Sequence, residues 1–338
     1  MSYFIFGGTG FIGTHLICLL HKVHPEAKVY NLDIVKPGLP LPTVKDYKLA
    51  LKEGKEHAAT FIYCDVRQPI NLPKEVNITP GDVIFNFAAV HRTPGHSDPE
   101  YFETNIRGAE NVCAFAEQQG IRKIVFTSSI APYGAAEELK EETTLPTPNT
   151  PYGISKLVAE KIHQVWQAGG EDRQLTIVRP GVVFGKGENG NFTRLYWSIR
   201  GHRFMYPGRK DTVKACIYVK ELVRFMLYRL EHHNSGVELY NCCYEHAYTI
   251  EQIVEAMKRV TGMNVSVPYM PGWLIMFAAG MLGVLGSPMG ICPARVRKLQ
   301  ISTNICGKKL AASGYYFCYT FEDALADWYK DNNNQCLE

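Results

Sequence analysis

Short apolar runs alternate with amphipathic stretches through the first half of the chain. Residues 3–6, 28–32, 60–64, 83–87, 123–127 and 175–179 are rich in Val, Ile, Phe and Tyr and are bounded by Gly, Pro, Asp or Ser. Runs of this kind predict buried strands. Between them, residues 11–21, 101–119 and 154–168 carry apolar positions at helical spacing. Strands separated by helices predict a parallel sheet covered on both faces, and right-handed crossovers make it doubly wound. The expected class is therefore α/β, a doubly wound Rossmann-type parallel sheet. After Pro180 the rhythm changes to a glycine-rich stretch at 181–190, a turn-rich connection at 205–210 and shorter mixed elements. This predicts a sheet domain over 1–180 and a smaller C-terminal lobe over 181–338. The lobe lies over the carboxyl ends of the strands, with some elements returning to the sheet.

Composition narrows the class. The 338 residues are 46% apolar and 20% charged, an ordinary globular mix that excludes a disordered, collagen-like or coiled-coil chain. The net charge is +3 and no basic run stands out, so no nucleic-acid partner is expected. Ten cysteines include no Cys-x-x-Cys pair. That arrangement predicts free thiols in a reducing cytoplasm and no metal site. The N-terminus shows no basic stretch ahead of an apolar run, so no secretory leader is expected. Residues 261–294 hold no charged side chain, and 273–285 are the most apolar stretch of the chain. Thirteen helical residues span about 20 Å, short of the roughly 30 Å of a hydrocarbon core. A buried helix of the small lobe is expected there, with a membrane-surface or partner-binding patch as the alternative and no transmembrane span.

The run Phe6-Gly7-Gly8-Thr9-Gly10-Phe11-Ile12-Gly13 follows the first strand and opens a helix. A glycine turn between strand and helix brings backbone close to a pyrophosphate, and the helix N-terminus offers N–H groups and a favourable dipole. Gly7 and Gly10 suit the turn, and Gly13 suits close packing of the helix. Asp33 ends the second strand twenty residues after Gly13, where a carboxylate accepts ribose hydroxyls and repels a 2′-phosphate. NAD is therefore expected rather than NADP. Asp65 and Val66 follow the third strand, beside an adenine or as an ordinary strand end.

Tyr152 and Lys156 stand four apart at a helix start and would share a face. They follow Thr127-Ser128-Ser129, a strand end that a parallel sheet delivers to the ligand crevice. A phenol is a poor base at neutral pH, but a neighbouring ammonium and a nicotinamide ring would favour the phenolate. Tyr152 is then the expected proton acceptor from a substrate hydroxyl, with Ser129 holding the same oxygen and Lys156 the nicotinamide ribose. Ser128 competes with Ser129 for that role. A second Tyr-x-x-x-Lys match, Tyr206 to Lys210, contains Pro207-Gly208 and reads as a turn.

Together these motifs make the chain resemble the extended short-chain dehydrogenase/reductase family, in its NAD-dependent epimerase/dehydratase branch. Further matching pieces are Asn86-Phe87-Ala88-Ala89, Thr104-Asn105 with Gly108, Tyr133-Gly134, Arg179-Pro180-Gly181 with Phe184-Gly185, and Ile217-Tyr218-Val219 with Glu221-Leu222-Val223. The resemblance implies that Ser129, Tyr152 and Lys156 are catalytic. It implies that Thr9, Phe11, Ile12, Ala88, Asn105, Pro180 and Val183 join Gly7, Gly10, Gly13, Asp33, Asp65 and Val66 around the cofactor. It also implies a homodimer through the helices that begin near Tyr101 and Tyr152.

Departures from the family's patterns point to the chemistry. Ile130-Ala131-Pro132 stand where dehydratases place an acidic pair and decarboxylating relatives a Glu, and no Cys lies in this loop. Only removal and return of hydride is left. The expected activity is a 4-epimerisation of a nucleotide-sugar, with a hydroxysteroid-type dehydrogenase and a non-catalytic NAD-binding protein as the alternatives. Lys214 stands where sugar-nucleotide enzymes often carry an Arg near the diphosphate. Arg297 (or Arg295), His91 and Asn191 complete the expected substrate contacts.

Overall fold

The computed structural model describes residues 1–37, 59–91, 95–234, 236–271 and 300–338. In chain order the first half runs β1 (Ser2–Phe6), α1 (Phe11–Val23), β2 (Lys28–Asp33), β3 (Thr60–Tyr63), β4 (Val83–Asn86), α2 (Asp98–Gln118), β5 (Lys123–Thr127), β6 (Ala136–Lys140), α3 (Pro151–Ala168) and β7 (Gln174–Pro180). The second half adds β8 (Val182–Phe184), α4 (Asn191–Arg200), β9 (Tyr206–Pro207), β10 (Val213–Lys214), β11 (Cys216–Tyr218), α5 (Val219–Glu231) and β12 (Val237–Cys242). It continues with β13 (Tyr248–Thr249), α6 (Ile250–Thr261), β14 (Tyr269–Met270), β15 (Thr303–Ile305), α7 (Lys308–Ala311) and α8 (Phe321–Asp331).

Seven parallel strands form the central sheet in the order β12-β7-β5-β4-β1-β2-β3. The expected doubly wound α/β class is the one observed, and all six expected strands lie in this sheet. Their side chains alternate between two cores. Tyr3, Ile5, Val83, Phe85 and Val125 pack with Leu16 and Leu20 of α1 and Val223 and Met226 of α5. Phe4, Phe6, Ile84, Ile124 and Phe126 pack with Val112 and Ala116 of α2 and Ala159 and Trp166 of α3. The inner strands β1, β4 and β5 are buried on both faces, so their runs are continuous rather than alternating.

The seventh strand, β12, belongs to the second half of the chain, as does α5. Its pattern is broken by Glu238, which masks it as a strand in the sequence. In the fold Glu238 is buried against Arg229, with bonds of 3.0 Å from Nε and 2.6 Å from Nη2.

The remaining elements gather beyond the strand ends. β13, β10, β15 and β6 form a small mixed sheet, and β8 pairs with β11. A third core, built on Phe184, Tyr218, Ile253, Phe321 and Trp328, holds this lobe together. Phe11 and Ile12, from the helix start next to the glycine loop, pack against it. The lobe is thereby joined to the sheet at the mouth of the crevice. Residues 272–299, which contain the most apolar stretch and Arg295 and Arg297, lie outside the described residues. No helix among the described residues is long and apolar enough to cross a membrane.

Candidate active site

The glycine loop leaves β1 and turns back under α1. Gly7 adopts φ +76°, and a Cβ there would stand 2.8 Å from the Ala88 backbone nitrogen. Only glycine allows this conformation and this approach without strain. The loop is tied to β2 by side chains. Asn31 Nδ2 donates to Thr9 Oγ1 at 2.9 Å, and Thr9 Oγ1 donates to the Val35 carbonyl at 2.8 Å. Gly13 abuts the loop itself, since a Cβ there would meet Gly8 Cα at 2.6 Å. Gly10 caps α1 with no side chain, so the helix end presents backbone alone.

Asp33 faces the same loop. Its Oδ2 accepts from the Thr9 N–H and its Oδ1 from the Val35 N–H, both at 3.0 Å. Burial pushes its carboxyl above the usual value, and the N–H bonds pull the other way. Each carboxylate oxygen keeps a further lone pair for a ribose hydroxyl.

The hydroxyl end of the crevice is assembled by α3. Thr150 caps that helix through its hydroxyl, which accepts from the Gly153 N–H at 3.1 Å, and Pro151 starts the first turn. A Cβ on Gly153 would lie 2.7 Å from the Ala131 carbonyl. The first turn of α3 therefore closes directly on the serine loop. This seats Tyr152 beside Ser129, which favours its phenolate. Ser129 Oγ also accepts from the Ala131 N–H at 3.1 Å. Ser128 points elsewhere: it is buried and donates to Glu160 Oε1 at 2.5 Å. The Ser128 hydroxyl is thus taken up by Glu160, while Ser129 stands beside the first turn of α3.

Lys156 is 2% exposed. Its Nζ donates to the Thr127 carbonyl at 2.6 Å and sits 4.4 Å over the Phe126 ring. Burial pushes the ammonium down to about 7, against the pull of Glu160. Burial holds the phenol of Tyr152 above its usual value, with Tyr101 adding in the same direction and Ser129 pulling the other way. The ammonium's bond goes to the strand end. In the second Tyr-x-x-x-Lys match, by contrast, Lys210 Nζ lies 4.9 Å over the buried Tyr206 ring and pairs with Glu251 at 3.0 Å.

Other expected residues play varied parts. Asn105 is buried, with Oδ1 accepting from the Val90 N–H at 2.8 Å and Nδ2 donating to the Val90 carbonyl at 3.1 Å and to Ser155 Oγ at 2.8 Å. It holds the loop after β4, next to Ala88, by its amide. Asp65 forms an ion pair with Arg67 at 2.6 Å, and Val66 is buried against Gly108. Both stand just past the end of β3, next to β2 and Asp33. Pro180 accepts from the Ile130 N–H at 3.2 Å, and Val183 packs with Phe11 and Ile12 against the lobe core. Lys214 donates to the Ile301 carbonyl at 2.6 Å, and its neighbour Ala215 packs with Tyr133 and Ile130 beside the serine loop. His91 is exposed after the loop that Asn105 holds, and Asn191 is exposed at the start of α4. Arg297 lies outside the described residues.

One buried charged residue beside the site, Glu160, escaped the sequence reading, and its partner Arg179 was named only as part of a motif. The signal for Glu160 was present: it stands four residues after Lys156, on the helix face that meets the sheet.

A parallel sheet with a glycine loop after β1 and a hydroxyl pair beside a buried lysine after β5, two strands along, defines a nicotinamide-dependent enzyme. The chain matches the NAD dependent epimerase/dehydratase family over residues 3–243, and it belongs to that family. Its cofactor is NAD, which suits the Gly7 cradle and the Asp33 carboxylate. The chain is similar to the N-acetyl-alpha-D-glucosaminyl-diphospho-ditrans,octacis-undecaprenol 4-epimerase of Escherichia coli O157:H7, at 31% identity over 72% of this chain and 75% of the relative. It is 24% identical to the UDP-glucose 4-epimerase of Lactobacillus helveticus over 80% of this chain and 84% of that one. In fold it is similar to a UDP-glucuronic acid 4-epimerase from Bacillus cereus in complex with NAD. That likeness has a TM-score of 0.75 at 19% identity and covers 98% of this chain and 99% of the other.

Proposed function

We propose that the chain is an NAD-dependent 4-epimerase of a nucleotide-sugar. The observation that carries this reading is the Ser129–Tyr152 hydroxyl pair beside buried Lys156, in a loop whose Ile130, Ala131 and Pro132 bring no acid, base or thiol. Such a site serves proton transfer at one hydroxyl and nothing further along the ring.

Gly7, Gly10, Phe11 and Ile12 would cradle the cofactor's phosphates with backbone, Asp33 its adenosine ribose, and Lys156 its nicotinamide ribose. Bound NAD supplies a hydride acceptor and donor. Tyr152 takes the proton from the sugar's 4-hydroxyl, and Ser129 holds that oxygen as it becomes a carbonyl. The sugar must then turn within the crevice to receive hydride on its other face, with Tyr152 returning the proton. His91, Asn191 and Lys214 are proposed around the substrate, with Lys214 toward the diphosphate. A homodimer through α2 and α3 is supported by Ile154 and Val165 of α3, which are 40% and 73% exposed. The described cysteines are all free thiols, which supports a reducing, cytoplasmic setting.

A second reading changes the carrier of the sugar from a nucleoside to a polyprenol. The 31% identical relative acts on a polyprenyl-linked sugar, and residues 261–294 of this chain are uncharged. One panel decides. UDP-, GDP- and dTDP-sugars, a polyprenyl-diphospho-N-acetylglucosamine in detergent, and a sterol are incubated with enzyme and NAD. The first reading expects inversion at C4 of a nucleotide-sugar with no steady gain in NADH. Inversion of the lipid-linked sugar alone selects the second, and continuous NADH formation with the sterol overturns both.

A further inference from the structure

Beneath the hydroxyl pair lies a carboxylate that the proposed reaction does not use. Glu160 is 1% exposed, on the sheet-facing side of α3, one helical turn beyond Lys156. Its Oε1 accepts from Ser128 Oγ at 2.5 Å and from Arg179 Nε at 2.8 Å, and its Oε2 accepts from Arg179 Nη2 at 2.6 Å. Ser128 precedes Ser129 on the end of the β5 segment, and Arg179 precedes Pro180 on β7. The Arg179 guanidinium lies 4.7 Å over the Tyr133 ring, whose hydroxyl donates to Asn241 Oδ1 on β12 at 2.9 Å. One carboxylate thus ties the helix that carries Tyr152 and Lys156 to the strand ends that carry Ser129 and Pro180.

Such an arrangement is costly. A buried ion pair seldom stabilises a fold more than apolar side chains of the same volume would. A second such pair, Arg229 with Glu238, lies away from the crevice; what sets Glu160 apart is its third bond, from Ser128, the residue before Ser129. The surroundings of Lys156 supply a second reason. Its own helix contributes Tyr152, Glu160 and His163. The strand β5 contributes the Thr127 carbonyl, the Phe126 ring and Ser128. Arg179 comes from β7, Tyr133 from the loop after β5, Tyr101 from α2, and Asn86 from β4 through its contact with His163. His163 is held neutral, its Nδ1 on the Ala159 carbonyl at 2.7 Å. Among these described groups Glu160 is the one carboxylate.

Resting on the reading of Ser129, Tyr152 and Lys156 given above, we infer that Glu160 is a positioning residue: through Ser128 and Arg179 it sets Ser129 against the Tyr152 helix, and it places its charge one helical turn from Lys156. Its two parts, reach and charge, are separable by substitution. Glu160→Gln keeps the reach and removes the charge, while Glu160→Asp keeps the charge and shortens the reach.

The test measures the titration of Lys156 itself by the carbon-13 shift of its Cε, assigned with Lys156→Met, in the protein without and with NAD. Glu160→Gln is expected to lower the Lys156 midpoint by about one pH unit or more, and Glu160→Asp to leave it in place. An unchanged midpoint in Glu160→Gln overturns the charge role, whatever the enzyme turns over. Ser128→Ala keeps the ion pair and tests positioning should the Glu160 variants fail to fold. Its kcat is expected to fall roughly tenfold with KM and the NAD dissociation constant unchanged, and a wild-type kcat overturns the positioning role. A shifted midpoint in a protein that epimerises no sugar leaves this inference standing and removes the proposed function instead.

Discussion

The glycine loop and the Tyr152 helix meet the same edge of one sheet, yet they are held there by different forces. The loop is fixed by backbone N–H groups on Asp33, by the Asn31–Thr9–Val35 chain and by glycines that allow close approach. The helix is fixed by buried charge, with Lys156 on a carbonyl and Glu160 bridging Ser128 and Arg179. The loop carries one titratable group, Asp33, held by N–H groups, whereas the helix end gathers Lys156, Glu160 and Arg179, and such buried charges couple their surroundings to pH. Under the proposed function the loop carries most of the cofactor affinity and the helix the proton handling.

The largest test of that division is Tyr152→Phe. Removing the phenol is expected to lower kcat by about 10²–10⁴-fold while NAD binding, followed by fluorescence quenching, stays at the wild-type level. A loss of NAD affinity of similar size would show that the two ends are not separate.

Acid stability comes next. His163 is stacked on Phe126 at 4.0 Å and burial pushes its imidazole down to about 4. The unfolded chain binds the proton more readily, near pH 6.5, so the native state loses stability as pH falls from there toward 4. The expected loss is about 3 kcal/mol across that window, read from urea midpoints. His163→Gln should flatten it. A wild-type acid limb in that variant would place the pH sensitivity elsewhere.

The smallest effect is expected at the loop. Asp33→Asn should weaken NAD roughly 10- to 100-fold, the worth of a charge-assisted hydrogen bond, with kcat at saturating NAD nearly unchanged. The same variant should narrow the preference for NAD over NADP. A fall in kcat would again blur the division.

The features of the glycine loop were legible along the chain because they are local. A strand, a turn and a helix follow one another within a dozen residues, and each glycine answers a contact with near neighbours or with the next strand end. The Tyr152–Lys156 pair was legible for the same reason, since helical spacing places both on one face. The different surroundings of Ser128 and Ser129 came only from the fold, because Glu160 on α3 takes up the Ser128 hydroxyl. Glu238 hid β12 in the same way, since a carboxylate in a strand reads as exposed until Arg229 is found beside it.

Periodicity and spacing by themselves determined the doubly wound sheet, the glycine turn and the shared helix face of Tyr152 and Lys156, because each depends on residues close in sequence. The tertiary structure alone decided where the charges go. It brought Glu160, Arg179 and Tyr133 under Ser129 and Tyr152 and turned Lys156 toward the Thr127 carbonyl. Burial and long-range pairing set these properties, and neither is written in the order of residues along one strand or one helix.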